Sequence, residues 1–122
     1  MTQWIDTAAQ EVNQTLAQWS MSVAKAEGLH AIKQQLTKLG QVQMKLDDEL
    51  TQTKRAIDKC IDDARAAFKL GREDVAKRLL EQKQQSSAYL SELKAGAQSV
   101  HELFEQLFQA EQAMFEQLER VP

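Results

Sequence analysis

Ile57-Asp58-Lys59-Cys60-Ile61-Asp62-Asp63-Ala64-Arg65-Ala66-Ala67-Phe68-Lys69-Leu70-Gly71-Arg72-Glu73-Asp74-Val75-Ala76-Lys77-Arg78-Leu79-Leu80 reads as the end of one long helix, a tight turn and the start of another. Gly71 follows the last apolar position, Leu70, where a residue in the left-handed region closes a helix. Lys69 stands where a cation favours the closing helix dipole. Glu73 and Asp74 stand where anions favour the opening one, with Asp74 placed to serve as N-cap. The tip is therefore Leu70, Gly71, Arg72, Glu73 and Asp74, and the chain on either side can fold back about it.

Upstream of the tip a heptad runs through Leu29, Ile32, Leu36, Leu39, Gln43, Leu46, Leu50, Thr53, Ile57, Cys60, Ala64 and Ala67. Only Gln43 and Thr53 interrupt it, and polar residues in such a seam set register. A period of 3.5 held over this length predicts a supercoiled seam against another helix. Val42, Met44, Ile61 and Phe68 lie beside or off that seam. Downstream, a second heptad runs through Ala76, Leu79, Lys83, Ser86, Leu90, Leu93, Ala97, Val100, Phe104, Leu107, Glu111, Met114 and Leu118. Gly40 and Gly96 sit inside the two helices, where each costs about 1 kcal/mol relative to Ala and marks a kink or a close helix approach.

Charge supports the fold-back. With the turn at Gly71, Leu29–Leu46 lies opposite Ala97–Glu119. The first segment carries Lys33, Lys38 and Lys45 and no acid. The second carries Glu102, Glu105, Glu111, Glu116 and Glu119 and no Lys or Arg. An antiparallel pair sets these fields against one another, which bears on orientation more than on stability.

The C-terminal part carries more apolar residues than one seam can use: Leu103, Phe104, Leu107, Phe108, Met114, Phe115 and Leu118. A soluble chain rarely leaves so wide a stripe wet. Leu103, Phe104, Phe108 and Phe115 are therefore expected to meet the N-terminal helix, another copy of the chain, or both. That helix is read from a stripe at Ile5, Ala9, Val12, Leu16, Trp19, Val23 and Ala26, widened by Trp4 and Met21, with Gly28 as the expected break. It either docks on the rest of the protein as a third helix or lies on a bilayer or a partner. Two Trp suit an interfacial role, while the scarcity of basic residues in that helix, read from Gln3 to about Ala26, weakens any electrostatic pull towards lipid.

Composition narrows the class. The chain has 122 residues, 43% of them hydrophobic and 27% charged, with four Gly and a single Pro at the last position. So few turn formers exclude many short strands and leave a few long helices in a single domain. A net charge of −3 gives no reason to expect nucleic acid as a partner. One cysteine, Cys60, cannot form an internal disulfide, which fits a reducing compartment. No apolar run approaches the length of a membrane span, and the N-terminus lacks the pattern of a secretory signal. The expected location is cytoplasmic, with any membrane contact peripheral.

No constellation points to catalysis. A di-metal bundle needs inward carboxylates and Glu-x-x-His units on two helices. Only Glu27-Gly28-Leu29-His30 has that spacing, and it straddles the expected break. Cys60 falls on the seam and reads as a structural thiol. There is no glycine-rich phosphate loop and no Cys/His cluster. The expectation is a protein that is not an enzyme and has no metal and no cofactor.

The tip resembles the ESCRT-III and phage-shock-protein-A superfamily of membrane-remodelling proteins. The resemblance rests on Cys60-Ile61-Asp62-Asp63-Ala64-Arg65-Ala66-Ala67, then Leu70-Gly71-Arg72-Glu73-Asp74-Val75-Ala76-Lys77-Arg78-Leu79-Leu80, then Gln82-Lys83. It extends over about Leu36 to Leu107, and the order of parts is also similar. It implies a cytosolic protein that polymerises through hairpin packing and reshapes membranes. By position it implies that Trp4, Ile5, Val12, Leu16 and Trp19 form the membrane element, supported by Lys33, Lys38 and Lys45. The expected fold is all-α: an N-terminal amphipathic helix over 1–28 and a long antiparallel, coiled-coil-like helical hairpin over 29–122. The expected function is a self-associating hairpin in membrane remodelling or maintenance. The alternative is a dimeric helical adaptor or chaperone-like module for a partner protein.

Overall fold

The computed structural model describes residues 2–21 and 25–119. Those residues form three α-helices: α1 (Gln3–Met21), α2 (Lys25–Lys69) and α3 (Glu73–Glu119). The all-α class expected from the paucity of Pro and Gly is the observed one. Val23, counted in the N-terminal stripe, lies outside the described residues, as do the side chains of Met21 and Ala26.

The heptad of α2 is visible as burial. Ile32, Leu39, Leu46, Thr53, Ala64 and Ala67 are buried, and Leu29, Leu36, Gln43, Leu50, Ile57 and Cys60 are half-buried, so no seam position is exposed. Four of the buried residues, Ile32, Leu39, Leu46 and Thr53, are spaced seven apart, the interval at which one face of a supercoiled helix returns to its partner. In α3 the same interval joins Leu93, Val100, Leu107 and Met114, all buried. A second row seven apart in α3, Gly96, Leu103 and Ala110, is buried as well. Together the two rows alternate at steps of three and four, as the two rows of one seam do, and what the second row meets is read from its contacts.

The chain divides into two compact units. The first comprises Met1–Met44 and Gly96–Pro122. In it the side chain of Ile5 lies over Gly96, so closely that a Cβ on that glycine would meet it. Trp19 and Met114 close over Gly28, where a Cβ would stand 2.7 Å from Trp19 Cδ1 and 2.6 Å from Met114 Cε. Contacts from Ile5 to Gly96 and from Trp19 to Met114 run α1 alongside α3 in the same direction. Glu11 meets Lys38 of α2 at 3.9 Å. The second row of α3 is thus the one that α1 covers. Gly28 is not a break: α2 begins at Lys25, and Gly28 is a close-approach position inside it.

The second unit comprises Lys45–Ala95. Leu46, Thr53, Ala64, Ala67, Ala76 and Leu93 are its buried side chains. The phenol of Tyr89 donates to Glu49 Oε2 at 3.0 Å. The turn is closed by backbone: Arg72 N–H donates to the Ala67 carbonyl (2.9 Å) and Gly71 N–H to the Phe68 carbonyl (3.0 Å). Gly71 is at φ 75°. This pair of bonds around a left-handed glycine is the Schellman closure. Asp74 does not cap α3. The carbonyl of Arg72 accepts the first helical bond, from Ala76 N–H at 3.1 Å, so Arg72 holds the N-cap position and Glu73 and Asp74 form the first turn. The physical reason is the tightness of the closure, which leaves one residue between Gly71 and the helix. Both acids still face the positive end of the dipole.

Candidate functional site

Two exposed apolar surfaces stand out once the core is accounted for. The first lies on α3 in the first unit. Phe108 is 54% exposed, Phe115 43% and Leu118 39%. Phe104 is half-buried, and its ring stacks on Phe108 with centroids 6.0 Å apart and planes inclined by 20°. These residues recur at steps of four, seven and three, so they share one face of the helix. Lys33 places its ammonium 5.7 Å from the Phe115 ring centroid, a cation–π contact from α2.

The second surface is an open hollow of about 330 Å³ in the second unit, beside the turn, walled by Ile61, Ala64, Phe68, Ala76 and Leu80. Arg65 and Lys69 are the charged residues at its edge. Phe68, Leu70, Val75 and Leu80 are exposed. The sequence placed Ile61 and Phe68 beside the seam but did not show that Ala64 and Ala76 are short enough to leave a hollow between them. That depends on which face of α3 arrives opposite α2.

The expected site residues are distributed as follows. In the N-terminal helix Ile5 and Val12 are buried and Trp4, Leu16 and Trp19 half-buried, so its stripe is spent on packing within the first unit. Leu16 and Trp19 border a shallow hollow with Gln106, Ala110 and Ala113 of α3. Lys33, Lys38 and Lys45 are exposed, Lys33 engaged with Phe115 and Lys38 with Glu11. Of the surplus apolar residues of α3, Leu103 is buried while Phe108 and Phe115 remain open. Leu70, Gly71, Arg72, Glu73 and Asp74 are all exposed at the tip.

The Tyr89–Glu49 pair went unnoticed in the sequence. The fold-back expected at Gly71 would set Tyr89 opposite Thr53, one helical turn from Glu49, so the pair could have been sought from the sequence. Burial raises the Tyr89 pKa above the ordinary phenol value, and the hydrogen bond to Glu49 and the negative charges of Glu49 and Glu92 raise it further. Among the described residues no group of three His, Cys, Asp or Glu is arranged to hold a metal ion. No described helix is long and apolar enough to cross a membrane. No family model, curated protein or solved structure matches the chain.

Proposed function

We propose that the chain is a non-enzymatic, self-associating binding module, built as a long antiparallel helical hairpin of α2 and α3 with α1 docked as a third helix. The hairpin reading is supported by contacts within each unit. Lys33 meets Phe115, Glu49 meets Tyr89, and Ala64 and Ala76 wall one hollow. In each pair a later residue of α2 meets an earlier residue of α3. The observation that carries the function is the uncovered row of Phe108, Phe115 and Leu118. α1 covers one apolar row of α3 and leaves this one, and aromatic residues on an open face are the usual anchors of protein contacts. The role is that of an adaptor or chaperone-like module, working through copies of itself.

The membrane-remodelling role implied by the tip resemblance requires Ile5 and Val12 to leave the core. Each gives up about 1.5–3 kcal/mol of burial on doing so, and a bilayer must return it. Two measurements test the proposal together. Light scattering on the intact chain should show association that Phe108→Ser with Phe115→Ser abolishes, while liposome flotation stays negative for both proteins. Flotation that is lost in a Trp4→Glu, Trp19→Glu variant and kept in the Phe variant would move the function to the membrane.

A further inference from the structure

The charges around the α3 stripe indicate what covers it. Between Ala97 and Glu119 the helix carries five Glu and no Lys or Arg. Glu105 and Glu111 flank Phe108, three residues to either side. Glu111 and Glu119 flank Phe115, four residues to either side, so these acids are neighbours of the two rings on the helix surface. A symmetric contact of stripe on stripe would press these carboxylates against one another. The hollow in the second unit has the opposite character. Its walls are apolar, and both of its charged residues, Arg65 and Lys69, are cations. Within the fold Phe115 already accepts a cation on its face, from Lys33.

We propose that the hollow bounded by Ile61, Phe68 and Leu80 in one copy receives the Phe108–Phe115 stripe of a second copy, with Arg65 and Lys69 set against Glu105, Glu111 and Glu119. This rests on the reading of the stripe as the self-association surface and adds the surface it meets. Two copies that exchange both contacts close as a two-fold dimer, and copies that exchange one contact each continue into a ring or an open polymer.

The test uses two full-length variants and their mixture. Arg65→Glu with Lys69→Glu reverses the charge at the hollow, and Phe108→Ser with Phe115→Ser removes the stripe. All four positions are exposed, so helicity and melting should match the parent and are measured alongside. Size-exclusion chromatography with light scattering should show the parent associating into dimers or larger species as concentration rises. Each variant alone should associate about tenfold or more weakly. An equimolar mixture should give a one-to-one complex and nothing larger, one partner supplying the hollow and the other the stripe. A hollow variant that associates like the parent, or a mixture that stays monomeric, overturns the inference. A complex that stops at two copies and depends on Phe108 and Phe115 but not on Arg65 and Lys69 overturns it and leaves the binding-module reading standing. Association indifferent to both Phe residues overturns both.

Discussion

Replacing two glycines, one at a time, separates a docked α1 from an undocked one. Gly→Ala in a helix interior contributes about 0.8–1 kcal/mol through helix propensity. At Gly40 nothing lies within 4 Å of the new methyl group, so Gly40→Ala should be stabilising by nearly that amount. At Gly96 the methyl meets the side chain of Ile5, which is buried and has little room to retreat. Overpacking of this kind costs about 1–3 kcal/mol, which turns the gain into a net change between nil and a loss of about 2 kcal/mol. The two variants should therefore differ by about 1–3 kcal/mol. For a chain of this length 1 kcal/mol shifts Tm by about 3–6 °C, so melting followed by circular dichroism resolves them. In an Ile5→Ala background, itself costing about 2–5 kcal/mol, Gly96→Ala should become stabilising because the obstruction is gone. Equal stabilisation by Gly40→Ala and Gly96→Ala in the parent would refute the docking of α1 on α3. It would also free the N-terminal stripe for other surfaces.

Gly71→Ala should cost about 1 kcal/mol or more in urea unfolding, because φ 75° at that residue places a Cβ against the following carbonyl. Leu107→Ala, which removes a fully buried side chain from the first unit, should cost about 2–5 kcal/mol. Leu80→Ala, at a side chain nearly half exposed, should stay within about 1 kcal/mol. Tyr89 is the only tyrosine, so ultraviolet absorbance reads its phenolate alone, and its midpoint should lie above the ordinary phenol value. In the unfolded chain the phenol ionises first, near pH 10. Stability should therefore fall as pH rises from there through the folded-state pKa. Tyr89→Phe should remove that part of the pH dependence.

The sequence by itself determined the helices and most of the face each one buries, though it missed the buried row Gly96, Leu103 and Ala110 of α3 and placed the exposed Leu118 in the seam. Heptad spacing is a property of the chain alone, since a helix turns by a fixed angle per residue whatever it packs against. That is why every seam position of α2 is buried or half-buried, and why Leu93, Val100, Leu107 and Met114 could be named in advance. The closure at Gly71 was equally legible, because a left-handed residue after a helix selects glycine. What lay beyond the sequence was the choice of neighbour. The N-terminal stripe with its two Trp could be read as facing the body of the protein, a bilayer or a partner, since an apolar face has no direction of its own. The choice fell to shape: Gly96 and Gly28 lack the side chains that would hold α1 off, so Ile5 and Trp19 seat there. The capping of α3 likewise followed from backbone geometry, with the Arg72 carbonyl taking the place expected of Asp74. The sequence marked Phe108 and Phe115 as surplus to the seam, but that they stay exposed while Leu103 is buried, and that a hollow stands beside Arg65 and Lys69, is visible only in three dimensions.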